Sequence, residues 1–197
     1  MEKLRIELIR DKVIGLRPVY TERGNATEVL LSDGEVKLDY RGIKTVKAAL
    51  ARNYAVDLQA QRKAIEREFN RKAVVPFYLE DRVFIPLKMR QALTENDLVY
   101  GFVDVSYVTD IREEDKRRCR VFLCNGMSIE VLSSINTALN SKHIGNKVSA
   151  GLQVKVQDDT AEKQVARSVY KLVRSFSEIL NRLERIEEQI AEDGGKY

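Results

Sequence analysis

Two clusters of cations in this chain have the residue types and spacing to do chemistry. The first is Arg62, Lys63, Arg67, Arg71 and Lys72. At about 100° per residue, Lys63, Arg67 and Arg71 share one helical face, opposite Leu58, Ile65 and Phe69. Arg62 stands at the margin, where its stem can pack and its head can reach water. The second cluster is Lys116, Arg117 and Arg118, in the charged run Arg112–Arg118, which reads as a solvated loop. The chemistry of such clusters is phosphate binding, which supplies affinity and fixes register on a duplex without reading sequence. An Arg at a loop tip can also enter a narrow A-tract minor groove, where the potential is most negative. Arg117 and Arg118 are the candidates for that role. The same stripe also occurs on ordinary surface helices, and Glu66 and Glu68 dilute its field.

Other chemistries have little to stand on. No G-x-x-x-x-G-K-[ST] or G-x-G-x-x-G loop follows a strand, and no G-x-S-x-G or H-E-x-x-H motif occurs. His143 is the one histidine, too few for His-based acid–base work. Cys119 and Cys124 with His143 fall short of the roughly four ligands zinc takes. The two thiols read as reduced residues rather than a disulfide. Asp104 and Asp110 lie close in sequence, but without a base, metal or cleft signal they make no active site. The chain is therefore expected not to be an enzyme and to hold no metal and no cofactor.

The elements that must position these cations follow from composition and pattern. The 197 residues are 44% hydrophobic and 32% charged, which is globular. The net charge is +4. Residues 41–72 hold nine Lys/Arg against Asp57, Glu66 and Glu68, whereas 158–197 are slightly acidic. A basic body suits a polyanion such as nucleic acid, and a solvated face without a partner would look the same. No apolar run reaches the ~18–20 residues a bilayer helix needs, and Met1–Lys12 mixes acids and bases with its apolar residues, unlike a signal peptide. A cytoplasmic protein without membrane contact is expected.

The fold class read from the pattern is α+β: an antiparallel, β-rich domain over residues 1–157 with short helices, then a C-terminal heptad helix over 158–197. Residues 2–40 read as β, including Arg5–Ile9 and Val13–Tyr20. Asp33-Gly34 and Asn125-Gly126 each sit between β-rich runs, a hairpin signal in which both turn residues take positive φ. The two hairpins lie 92 residues apart, and each is followed by a helical stretch, so a duplicated unit is one reading and chance is the other. Ile43, Val46, Leu50 and Tyr54 predict a helix, and Asp57 caps the next. Val74–Leu79 and Val83–Leu87 read as strands, and Lys88–Asp97 as a loop. Val103–Ser133 reads as three antiparallel strands forming the centre of the domain. A helix carries Ile135 and Leu139; Gly145–Gly151 reads as irregular, and Val154 and Val156 as a closing strand.

The tail has the clearest period. Val165, Val169, Leu172, Phe176, Ile179, Leu183, Ile186 and Ile190 alternate in steps of four and three, a heptad seam of roughly 30 residues' helix. It predicts a homo-dimer or higher oligomer through Thr160–Ile190. A helix packed on its own domain would explain the wider stripe that Val173 and Leu180 make. A protein-interaction module that pairs this tail with a partner coiled coil is the alternative function.

From Val29 to Lys147 the order of elements resembles the competence transcription factor (ComK-like) family. Tyr54 followed by Gln61-Arg62-Lys63 is similar to that family's aromatic residue ahead of a G-R-K helix start. Val75-Pro76 and Val83-Phe84-Ile85-Pro86 resemble its two Pro-bearing strands. Val99–Val103 and Val108–Ile111 resemble its W-I…I segment, with Phe102 in the place of Trp. Val121-Phe122-Leu123-Cys124-Asn125-Gly126 resembles its V-x-F-x-N-G hairpin, and Leu132-Ser133 its following serine. The resemblance implies a DNA-binding transcription regulator that takes A/T-rich double-stranded sites as an oligomer. A LytTR-type DNA-binding domain ends in a similar hairpin, but its His-Arg-Ser is missing here.

Overall fold

The computed structural model describes residues 4–70, 74–157, 168–173 and 176. Contacts divide the chain into two units, Met1–Ala150 and Gly151–Tyr197. The first is α+β, and all its strand pairings are antiparallel. Helix α1 (Ile6–Ile9) and a 3-10 turn at Arg10–Lys12 lead into β1 (Val13–Thr21), β2 (Gly24–Leu31) and β3 (Val36–Asp39). Helices α2 (Ile43–Arg52) and α3 (Leu58–Glu68) follow, then β4 (Phe77–Leu79), β5 (Arg82–Lys88) and β6 (Tyr100–Asp104). A 3-10 turn at Val105–Tyr107 opens β7 (Val108–Asp115), β8 (Arg118–Leu123) and β9 (Ser128–Val131), and α4 (Ile135–Gln157) comes last.

Six strands form one sheet in the order β3-β2-β1-β6-β5-β4, and β7-β8-β9 form a second. Strand β5 is buried at almost every residue, so both of its faces are covered. On one face α2 lays Ile43, Val46, Ala49 and Leu50 against Val13, Leu16, Val29, Leu31, Phe84 and Phe102. Phe77 stacks on Phe84 at 4.9 Å and meets Phe102 edge-on at 5.1 Å. Ile85, one residue on from Phe84, points to the other face. There α4 comes so close that a Cβ on Gly145 would lie 2.3 Å from Ile85 Cγ2. Ser141 Oγ of α4 donates to the Pro86 carbonyl at 2.7 Å. A buried ion pair locks the middle of the sheet: Arg82 Nε donates to Asp104 at 2.8 Å, and its other nitrogens reach the Val13 and Asp11 carbonyls.

The unit contains a repeat. Pairs Leu30↔Val36, Val29↔Lys37, Glu28↔Leu38 and Thr27↔Asp39 recur 92 residues later as Phe122↔Ser128, Val121↔Ile129, Arg120↔Glu130 and Cys119↔Val131. The bulge between Val13 and Gly15 opposite Leu31 and Leu30 recurs between Val108 and Asp110 opposite Leu123 and Phe122. Both turns close alike: Gly34 N–H donates to Leu31 C=O, and Gly126 N–H to Leu123 C=O. Asp33 accepts from Glu35 N–H, as Asn125 does from Met127 N–H. The helices then start at the equivalent residues Ile43 and Ile135. The short motif noted in the sequence is thus part of a β-β-β-α unit present twice. Asn125 Nδ2 ties one turn to the other through the Leu31 and Ser32 carbonyls, at 3.2 and 3.4 Å.

Several expectations need correction. Arg5–Ile9 is helical rather than extended. Its Ile6 is fully buried against the α2 cluster, and the short run offered too few positions to separate the two periods. Val103–Ser133 is not one sheet: Val103 ends β6 in the larger sheet, and the 3-10 turn at Val105–Tyr107 passes the chain to the smaller one. Arg112–Arg118 is no loop, because β7 runs on to Asp115. That strand edges its sheet and shows one face to water, so charge does not exclude it. Gly126 and Gly34 have positive φ, at 85° and 89°, while Asn125 and Asp33 do not. Each turn is therefore a three-residue loop ending in a left-handed Gly. Helix α4 runs through Gly145–Gly151 and past Val154 and Val156, where strand and irregular chain were expected. Among the described residues, no helix is long and apolar enough to cross a membrane.

Of the second unit, residues 168–173 and 176 are helical, and Val169, Leu172 and Phe176 are exposed at 53%, 58% and 61%. Val165, Ile179, Leu183, Ile186 and Ile190 of the proposed seam lie outside the described residues, as do Arg71 and Lys72.

Candidate nucleic-acid interface

The β7–β8 hairpin turns at Lys116-Arg117, because Asp115 Oδ1 accepts the Arg117 N–H at 2.7 Å. The same carboxylate accepts from Arg118 Nε at 2.7 Å, and these bonds hold its pKa below the usual range. The turn throws Lys116 and Arg117 outward. The other arginines of the hairpin are occupied: Arg112 by Asp110 at 2.7 Å, Arg120 by Glu114 at 2.5 Å, and Arg118 by Asp115 and by Glu130 at 3.6 Å. Among the described residues, Lys116 and Arg117 are the two hairpin cations without a carboxylate partner.

Both line a surface cleft of about 660 Å³. Its other wall is the end of β5 and the loop after it, with Lys88, Gln91 and Ala92, and Leu132 closes it. The walls are joined where Leu132 N–H donates to the Lys88 carbonyl at 2.7 Å. Four cations, Lys88, Lys116, Arg117 and Arg118, thus face one carboxylate, Asp115. Lys88 likewise has no carboxylate partner among the described residues.

The loop wall is built rather than slack. Arg90 is buried, donates to the Leu98 and Val19 carbonyls at 3.0 Å each, and lies 4.0 Å over the Tyr20 ring. Asp97 accepts from Leu93 N–H at 2.7 Å, from Thr94 N–H at 2.9 Å and from the Tyr20 hydroxyl. These bonds, that from Tyr20 first, bring its carboxyl down to about 2.

The helical cations stand elsewhere. Asp57 caps α3 by accepting from Gln59 and Ala60 N–H at 2.8 and 3.1 Å. Gln61 fixes the helix to the edge of the larger sheet, donating to Tyr78 C=O at 2.8 Å and accepting from Tyr78 N–H at 3.1 Å. Ile65 is buried and Lys63 and Arg67 are exposed, as the periodicity predicts. Arg62 pairs with Glu66 at 2.7 Å. The cleft gathers Lys116, Arg117 and Arg118 in the smaller sheet, whereas Arg62, Lys63 and Arg67 lie against the larger one. No hydrogen bond or ion pair among the described residues joins the two groups.

Sequence reasoning missed Lys88 and Gln91. They meet the hairpin only through a contact between sheets, which no local pattern carries. The two carboxylates weighed as an acidic pair do not converge: Asp104 is buried on Arg82, while Asp110 is exposed beside Arg112. Cys119 is buried, Cys124 is exposed, and both are free thiols. Comparison with protein-family models, with curated proteins and with solved structures returned no match.

Proposed function

We propose that the protein is a sequence-selective DNA-binding transcription regulator that holds duplex phosphates in the Lys88–Lys116–Arg117 cleft. One observation carries this reading. Three cations with no carboxylate partner among the described residues line one cleft, while the neighbouring arginines are neutralised. Cations left without an internal counter-charge are the ones a polyanion can take at least electrostatic cost. Arg118 can join them, since its exposed pairs are worth little in water. The order of elements that resembles the competence transcription factor family supports the same activity and an A/T-rich target. Arg117, at the hairpin tip, is the residue to enter a narrow minor groove. Lys63 and Arg67 on α3 would track a further stretch of backbone.

A mobility-shift titration on A/T-rich duplex DNA tests this. The three cleft contacts alone give a slope of log affinity against log salt of about −2.7. Affinity then falls about 40-fold between 50 and 200 mM salt. Lys88→Ala, Lys116→Ala and Arg117→Ala are each expected to flatten the slope by about 0.9. Affinity indifferent to salt and to the triple variant refutes the reading. A second reading, pairing with a partner coiled coil, draws on the exposure of Val169, Leu172 and Phe176. Full-length protein that stays free of DNA at low salt and captures a helical partner through these residues would favour it.

A further inference from the structure

The repeat supplies its own comparison. Strands β3 and β9 are equivalent, and each is an edge of its sheet. On the outward side of β9, Ser128 and Glu130 are polar and exposed, as an edge facing water should be. The equivalent residues of β3 are Val36 and Leu38, and Tyr40 follows on the same side. All three are exposed, at 44%, 39% and 47%. Leu31 N–H donates to the Glu35 carbonyl, and in an antiparallel ladder alternate residues point their backbone groups to the same side. Glu35, Lys37 and Asp39 therefore bond to β2, and Val36 and Leu38 turn their N–H and C=O outward.

The charges select an occupant. Glu35, Lys37, Asp39 and Arg41 alternate in sign about Leu38. If the strand pairs antiparallel with its own copy, centred on Leu38, Glu35 stands opposite Arg41 and Lys37 opposite Asp39. On the other side Val36 meets Tyr40 and Leu38 meets Leu38. A shift of the axis by one residue places Lys37 against Lys37. Asp39 is buried and already held by Arg41, so the charge pair that counts across the axis is Glu35 with Arg41. Lys37–Glu35, at 3.4 Å, is exposed at both ends and worth little. Arg41, which holds Asp39 with Nε and Nη2, keeps a part-exposed guanidinium that can reach a second carboxylate.

We propose that β3 is the contact by which two copies of this chain pair, antiparallel about Leu38, extending the six-stranded sheet across a two-fold axis. The proposal does not depend on DNA binding. So short a strand makes an interface smaller than the roughly 1,000 Å² of a stable one, so the dimer is weak and concentration-dependent.

Sedimentation velocity of the full chain, up to its highest soluble concentration, tests it. Wild type is expected to pass from monomer to dimer. Leu38→Glu puts two carboxylates face to face and is expected to weaken association by about tenfold or more. Glu35→Arg with Lys37→Glu keeps the net charge and the apolar residues but reverses the complementarity, and is expected to act in the same direction. Unchanged circular dichroism and melting of both variants show that the fold is intact. Leu38→Cys, with Cys124→Ser to remove the exposed thiol, is expected to cross-link to itself with a short bis-thiol reagent, because paired Cα atoms lie about 5.5 Å apart. Val36→Cys in the same background is expected not to. A wild type that stays monomeric overturns the proposal. So does a dimer that survives both β3 variants and is lost in Leu172→Asp, which would place association in the second unit.

Discussion

Lys47 on α2 gives a prediction whose size follows from the structure. Its ammonium lies 4.7 Å from the Phe77 ring centre and 4.2 Å from that of Phe102. Burial, with the Arg62 charge adding to it, brings the amine from 10.5 down to about 8. Below about 8 both folded and unfolded chains carry the proton, and the folded state bears the full penalty of the buried charge. Between about 8 and 10.5 the unfolded chain holds more protons, so this group makes stability rise with pH. At about 1.4 kcal/mol per unit, the whole window is worth at most about 3.5 kcal/mol. The two ring faces return about 0.5–1 kcal/mol each to the charged form. Lys47→Met keeps the stem and removes the charge. It is expected to stabilise the protein by about 1–2 kcal/mol at neutral pH, and to make no difference above the unfolded pKa. Urea denaturation at neutral pH and near pH 10.5 measures both. A destabilising Met at neutral pH, or a difference that does not change with pH, would refute the reasoning.

Two further variants test the packing that holds the cleft. Asp104→Ala strands the Arg82 guanidinium, which is 7% exposed, and is expected to cost about 3–5 kcal/mol in urea denaturation. A cost below about 1 kcal/mol would mean that the pair is not what locks β5 to β6. Gly145→Ala is expected to destabilise by about 1–3 kcal/mol in the same assay, because the added methyl meets buried Ile85. Helix propensity alone would make that change favourable by about 1 kcal/mol. Gly151→Ala, on the same helix with open space around it, is the control expected to stabilise.

Much of the fold was readable where one period dominates. Ile43, Val46 and Leu50 announced α2, Asp57 announced the start of α3, and Asn125-Gly126 and Asp33-Gly34 announced their hairpins. What escaped was set by long-range contacts. Arg112–Asp115 is a strand because cross-strand pairs with β8 hold it, and edge strands accept charge that a buried strand would reject. Gly145 looked like a breaker, but it is the point at which α4 touches β5. The candidate site divided in the same way. Lys116 and Arg117 stood out as a local charge run. Lys88 at the end of β5 became their neighbour only once Leu132 joined the two sheets. The repeat shows why a short match understated the likeness: it lies in register, bulge and turn bonds, while residues such as Asp39 and Val131 differ in kind.

The seam between β1 and β6 has a kinetic consequence. Two residue pairs make it, Gly15↔Val103 and Leu16↔Phe102. It is tight: a Cβ on Gly101 would lie 2.6 Å from the Leu16 carbonyl oxygen. The strands β1, β2 and β3 contact near neighbours in sequence, and so do β4, β5 and β6, so each group can assemble as soon as its residues leave the ribosome. With both groups formed, joining them closes the connection from Asp39 to Phe77, about 40 residues, at an entropy of about 3 kcal/mol before any contact repays it. The last zip of the larger sheet therefore sets the folding rate, and until it happens the backbone edges of β1 and β6 stand open to other chains.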